Sequence, residues 1–223
     1  MISRGLKAFY YALFRIPMRF NGMIYRAFRA PSIGVVKVQL GPGIANYFPG
    51  WINVDANLFT AKIDLWTDLR DPLPFRDQSV DVFYSHHVIE HFPDLFLPTH
   101  FKELFRCLKP GGFVRIGGPN GETAIRKYFQ SDASWFPDYP DKRQSVGGRF
   151  ANFVFCRNEH LTILTSSYLE ELLSAAGFVN IKQCQAAAET FHPQFIDENM
   201  LKTEWGGPPD APYTLIVEAE RPP

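Results

Sequence analysis

Two glycines and a carboxylate carry the first chemical signal in the chain. Gly41 and Gly43 flank Pro42, and Asp55 follows twelve residues after Gly43. Glycine lets a backbone turn tightly and approach a ligand closely, because no Cβ intervenes. A carboxylate beside such a turn is suited to holding the two hydroxyls of a ribose. The pair predicts a nucleoside-containing cofactor clamped between Gly41–Gly43 and Asp55. The third glycine of a dinucleotide fingerprint is missing, with Asn46 or Tyr47 near its place, and the acid arrives sooner than the roughly 20 residues usual there. On this stretch alone, a β-turn with an incidental aspartate fits as well. Further on, Asp68 could accept an exocyclic amine of a base and Leu69 could offer the same ring an apolar face. The plain alternative for Asp68 is a turn or capping residue.

The elements around these residues read as an α/β alternation. Val35 to Leu40 is a β-branched run stopped by the glycines, and Trp51 to Val54 is a second strand that ends at Asp55. Further strands are predicted at 61–66, 79–85, 112–118, 178–183 and 211–220, with helices at 95–108, 122–129 and 161–176. Thr165 or Ser166 is the N-cap of the last helix and Gly177 its C-cap. Strand, turn, strand, helix, strand is the order of a parallel sheet with crossovers. In such sheets ligands sit outside the carboxyl ends of the strands, at the switch point. Residues 131–149 are aromatic, rich in Pro and Gly and without a clear period; a loop of that length is usually functional or disordered.

A chain of 223 residues with 46% hydrophobic residues supports one substantial core. Its zero net charge argues against a general nucleic-acid binder. Cys107, Cys156 and Cys184 are scattered and odd in number, which fits a reducing compartment and no zinc site. The charge is unevenly placed: no Asp or Glu precedes Asp55, whereas Arg4, Lys7, Arg15, Arg19, Arg26, Arg29 and Lys37 do. Leu6, Phe9, Tyr10, Leu13 and Phe14 recur there at helical spacing. Arginines interrupt every apolar run, so the segment is not predicted to span a bilayer, and it lacks the h-region and cleavage site of a signal peptide. Residues 1–31 therefore read as a basic, aromatic arm. Three readings stay open: an extra helical piece packed on the domain, an interfacial segment resting on an anionic membrane, or an organellar targeting peptide. Pro17 and Pro31 predict an arm in pieces rather than one long helix.

Leu40-Gly41-Pro42-Gly43, Asn53-Val54-Asp55, Asp68-Leu69 with Leu73-Pro74-Phe75, Val80-Asp81-Val82-Phe83 with Ser85, Val88-Ile89-Glu90-His91 and Leu108-Lys109-Pro110-Gly111-Gly112 follow one another in order. This series resembles the class I S-adenosylmethionine-dependent methyltransferases, of the type 11 group. Pro49 to Asp55 and Leu215 to Ala219 resemble a bacterial subgroup often encoded among surface-polysaccharide genes. The resemblance covers roughly 36–220 and leaves the arm outside, so 32–223 is expected to be the methyltransferase domain. Within it, 130–160 is a candidate lid and 186–209 a candidate acceptor-site insertion. The resemblance implies a Rossmann-like, mostly parallel seven-stranded sheet with an antiparallel last strand. It implies S-adenosyl-L-methionine as cofactor, with Gly41 and Gly43 under its methionine part, Asp55 on the ribose, Asp68 and Leu69 on the adenine, and Ser85 and His86 facing the methyl group. One departure is the short link from Gly43 to the second strand, which leaves room for a turn instead of the usual helix.

Methyl transfer to a hydroxyl profits from a base near the leaving proton, and histidine suits the task with an unperturbed pKa near ~6.5. His86, His87 and His160 are the candidates, the first two favoured by position; a structural hydrogen bond is the alternative for each. His91 is read as structural. His87-x-x-Glu90-His91 spells an inverted zinc-protease motif, but it follows a sheet strand and lacks a third ligand, so no metal is expected. The predicted activity is methyl transfer to a hydroxyl of a sugar or lipid-linked glycan, in the cytoplasm or at the inner face of a membrane. The alternatives are a metal-dependent O-methyltransferase acting on a small molecule or quinone, and an inactive binding module.

Overall fold

The computed structural model describes residues 4–31, 33–44, 46–59 and 61–223; the first three residues of the predicted arm and the side chain of Arg4 lie outside the described residues. Seven strands form one sheet: β1 (Lys37–Leu40), β2 (Ile52–Asp55), β3 (Leu65–Trp66), β4 (Val80–His86), β5 (Leu108–Pro119), β6 (Val179–Cys184) and β7 (Thr214–Glu220), in the order β3-β2-β1-β4-β5-β7-β6. β7 runs antiparallel to both its neighbours, and the other pairings are parallel. The order reverses between β1 and β4, which places the crevice for a ligand outside their carboxyl ends. Gly41 and Ser85 lie at that point, Leu40 being in register with Ser85.

The two faces of the sheet are covered differently. On one, α2 (Leu97–Cys107) and α5 (Ser166–Ala176) bury Phe101, Leu104, Leu169 and Leu173 against Val38, Leu40, Phe83 and Ile116. On the other, the link from β1 to β2 is too short for a helix, as expected. The apolar surface of Val82, Tyr84 and Phe113 is covered instead by Phe48 and Trp51 of that link and by Ile196, Met200 and Leu201. The last two belong to α6 (Glu198–Leu201), within the 186–209 insertion. A buried ion network fixes this cover. Arg115 pairs with Glu204 at 2.7 and 2.8 Å and with Glu218 at 2.6 Å, and Ala187 N donates to Glu204 at 2.9 Å.

Several boundaries differ from those expected. The residues of the arm form one helix, α1 (Arg4–Ile24), which continues through Pro17 before a π-turn over Tyr25–Arg29. Proline removes one helical hydrogen bond, and the helix persists because its inner side is held at several points. Met18 is fully buried, Tyr10 Oη donates to Ala56 O at 2.6 Å, and Asn21 Nδ2 donates to Trp66 O at 2.7 Å. β3 is only two residues long. Residues 161–165 are extended, Leu164 making an isolated bridge to Asn120, and helix α5 starts at the N-cap Thr165. After α3 (Gly121–Phe129), the stretch without a period holds a short turn at Ala133–Trp135 and a helix, α4 (Val146–Phe155), capped by Ser145. Gly147 and Gly148 in its first turn mask it in the sequence. The three cysteines are buried and unpaired. Among the described residues no helix is long and apolar enough to cross a membrane.

Candidate active site at the carboxyl ends of β1, β2 and β4

β1 ends in the glycine bend. Gly41 has φ +64°, and a Cβ there would lie 2.5 Å from Val88 Cγ2, so only glycine fits. Gly43 has φ +58° and nothing within 4 Å of where its Cβ would be, so this side of the bend is open. Asn53, fully buried in β2, steadies the neighbouring link: its side chain bonds Phe48 and Trp51 backbone groups and the Asp64 carboxylate. Asp55 then emerges at the strand end, receiving Asn57 N at 2.8 Å and Gly43 N at 3.3 Å. Burial raises its pKa, and the backbone donors from Asn57, Gly43 and Ala56 only partly offset this. Bend and carboxylate thus touch directly. A ribose would lie over the pair rather than between them.

The next strand end carries Asp68, buried, and it is already occupied. Arg70 grips both carboxylate oxygens through Nε and a terminal nitrogen, at 2.6 to 3.2 Å. The same guanidinium lies 4.1 Å above the ring of Tyr11 in α1. Leu69 turns into the main core. Around Asp68 is a cavity of about 240 Å³ lined by Tyr11, Ala12, Arg15, Asp68, Arg70 and Asp71. It is smaller than the ~300–1,000 Å³ of sites that hold a whole drug-sized ligand and fits part of one. Half its lining comes from the arm, which the sequence reading kept apart from the site.

β4 delivers the polar cluster. Ser85 is fully buried and its Oγ has no partner; His86 Nε2 and Glu90 Oε2 are likewise buried without one. Orphaned buried polar atoms are rare, and three at one strand exit point to a ligand or ion that completes them. His87, at φ +56°, holds a backbone conformation costly for a non-glycine residue. Its Nδ1 lies 3.1 Å from Glu90 Oε1 and its Nε2 3.1 Å from Thr214 Oγ1. Thr214 Oγ1 donates its own hydrogen to Trp205 O at 2.6 Å, so it must accept from His87 Nε2–H. Burial would push the Glu90 carboxyl up, but the His87 hydrogen bond and the nearby imidazoles of His87, His91 and His160 outweigh it and hold it below its usual range. Glu90 is therefore ionised, and both ring nitrogens of His87 are taken up by these two contacts.

The other histidines differ. Burial, with the neighbouring His87 charge, drops His86 to about 3, so it is neutral and weakly basic. His160 is also lowered, mainly by burial. Its Nδ1 lies 3.1 Å from Val154 O, which makes Nδ1 the protonated nitrogen and leaves Nε2 with its lone pair. His91 is oriented in the same way, Nδ1 at 2.9 Å from Glu159 O. Ligand atoms of Glu90, His91 and His160 all lie within 4.8 Å of one another, the one such metal-competent group among the described residues. His160 reaches this cluster because the chain just after the candidate lid is tied to the turn that follows β4: Leu161 N and Thr162 N donate to Glu90 O at 2.7 and 3.2 Å. Sequence reasoning missed Tyr11, Arg15, Arg70 and Thr214. An Asp-x-Arg pair was visible at 68–70, whereas Thr214 lies 127 positions from His87 and carried no signal.

Residues 54–116 match a family model described as a methyltransferase domain, which spans β2 to β5 and most of the site. No curated protein matches the chain. Among solved structures, an S-adenosylmethionine-dependent methyltransferase from Archaeoglobus fulgidus aligns with TM-score 0.53 at 16% identity, over 95% of this chain and 100% of that one. One from Thermotoga maritima aligns with TM-score 0.53 at 19% identity, over 95% and 94%. Phosphoethanolamine N-methyltransferase 2 of Haemonchus contortus, in complex with S-adenosyl-L-methionine, aligns with TM-score 0.53 at 16% identity, over 92% of this chain; the chain spans 53% of that structure. The protein thus has the Rossmann-like fold of class I S-adenosylmethionine-dependent methyltransferases, and its residues 54–116, from the end of β2 into β5, match a methyltransferase-domain model.

Proposed function

We propose that this chain transfers the methyl group of S-adenosylmethionine to a hydroxyl oxygen, with a sugar or a lipid-linked glycan intermediate as acceptor class. The observation that carries the transfer is the open glycine bend with Asp55 at its edge, set next to the unpartnered Ser85 Oγ, His86 Nε2 and Glu90 Oε2. The cofactor supplies an electrophilic sulfonium methyl. Asp55 holds the ribose hydroxyls, and the cavity between α1 and Asp68 receives the base edge. His160 Nε2 takes the hydroxyl proton as the carbon–oxygen bond forms and the carbon–sulfur bond breaks. Alignment can supply roughly 7–11 kcal/mol of the barrier and a positioned base about 10²–10⁴-fold. The glycan class rests on the likeness of 49–55 and 215–219 to a subgroup encoded beside polysaccharide genes.

Calorimetry with S-adenosylmethionine tests the cofactor. Wild type should bind and Asp55→Ala should lose at least ~tenfold in affinity, since a charge-assisted pair of hydrogen bonds is worth more than about 1.4 kcal/mol. Wild type without detectable binding would remove the proposal. A panel of glycans and lipid-linked saccharides, followed by transfer of a labelled methyl group, tests the acceptor.

A second reading is favoured by the grouping of Glu90, His91 and His160. Two imidazoles and a carboxylate suit zinc or another first-row divalent ion better than magnesium. Both ring Nδ1 atoms sit against backbone carbonyls, as ligating histidines require. His160 would then be a ligand rather than a base, and the activity would need the metal. Activity that survives exhaustive chelation would reject this reading.

A further inference from the structure

The inner side of α1 is fixed to the domain, and its outer side is apolar. Phe9, Leu13, Ile16, Phe20 and Met23 follow one another at steps of four and three residues, which puts them on one stripe. All five are exposed, Ile16 at 78%. Phe28, in the π-turn that prolongs the helix, is 84% exposed. A helix on the surface of a globular protein turns polar residues outward, and a contiguous exposed apolar patch marks an interaction site. From Phe9 to Met23 the stripe runs about 20 Å along the helix.

Its flank defines the partner. Arg15, Arg19 and Arg26 are exposed on one side of the stripe, and Arg29 follows in the π-turn. Arg15 and Arg19 share the single carboxylate of Asp71 at 3.8 and 3.3 Å, and Arg26 meets Asp77 at 3.6 Å, a carboxylate that Arg106 also holds. The four arginines of the flank thus face two shared carboxylates and keep a surplus of positive charge. No acid precedes Asp55 to balance it. A second copy docked stripe to stripe would press two acid-free, arginine-rich helices together. An anionic lipid surface takes both features at once: acyl chains for the stripe and phosphates for the guanidiniums. We propose that α1 docks this protein on an anionic bilayer, lying along the headgroup plane with its apolar stripe in the acyl boundary. The proposal stands apart from the methyl-transfer reading.

The experiment is co-sedimentation of the full chain with vesicles of phosphatidylcholine mixed with phosphatidylglycerol, and with vesicles of phosphatidylcholine alone. The protein should partition to the anionic vesicles and release when salt is raised beyond the screening regime. Ile16→Glu and Phe20→Glu should each weaken partition by roughly tenfold or more while leaving the melting temperature unchanged, because both side chains already face water. Arg26→Glu combined with Arg29→Glu gives an independent variant on the polar flank and should do the same. Failure of the native chain to sediment with anionic vesicles would overturn the proposal. So would unchanged partition of all these variants, or a dimer by light scattering that Ile16→Glu dissociates with no vesicle binding.

Discussion

The proton between His87 Nδ1 and Glu90 Oε1 organises the site at the scale of single residues. With both His87 nitrogens engaged and Glu90 ionised, His91 and His160 are left with a bare Nε2 beside Glu90, and of the two His160 is the more buried. His160→Gln should therefore lower kcat by about 10²–10⁴-fold with cofactor affinity unchanged, measured by single-turnover methyl transfer and calorimetry. Because burial lowers His160, the acidic limb of kcat/KM should lie below the ordinary histidine value of ~6.5. His100 gives a separate test of stability. It is buried among Phe92, Phe96 and Phe101, and desolvation lowers it to about 4. The unfolded chain takes up the His100 proton near ~6.5 and the folded chain only near 4, so proton uptake favours the unfolded chain, not at all above ~6.5 and increasingly as pH falls through this window. The loss reaches about 3 kcal/mol. In His100→Phe, denaturant midpoints should fall less steeply over that range. The glycine bend and Asp55 were legible in the sequence because spacing along the chain decides their geometry. The tautomers were not, because they follow from Thr214, Trp205 and Val154, which no local pattern brings together.

At the scale of elements, every strand was legible from its apolar run, while the covering pieces were not. Residues 186–209 lack periodicity because polar contacts hold them, chiefly Arg115 with Glu204 and Glu218. Arg115→Ala should strand two buried carboxylates and cost about 3–5 kcal/mol, seen as a lower urea midpoint. Replacing all three residues by apolar ones of similar size should recover much of the loss. Helix α1 was misread for the converse reason. Pro17 is a local stop signal, and the anchors that override it, Ala56 and Trp66, lie over thirty positions away.

At the scale of the whole molecule, the arm is a structural part of the cavity beside Asp68 through Tyr11, Ala12 and Arg15. Removing residues 1–31 should weaken S-adenosylmethionine binding by roughly tenfold, the equivalent of about 1.4 kcal/mol, by calorimetry. It should also lower the melting temperature, because Trp66 and its neighbours lose their cover. An unchanged affinity would show that the cavity plays no part in cofactor binding.

The bond from Asn21 Nδ2 to Trp66 O, with Tyr10 beside it, has one more consequence. β3 is the border of the sheet, and bare border strands invite pairing with foreign chains. Here α1 seals that border. The opposite border, β6, is guarded otherwise, by a register break between Val179 and Lys182, by Asn180 at φ +51° and by the charge of Lys182. Each margin of the sheet thus resists self-association by its own device, and a chain stripped of its first helix should turn sticky along β3 alone.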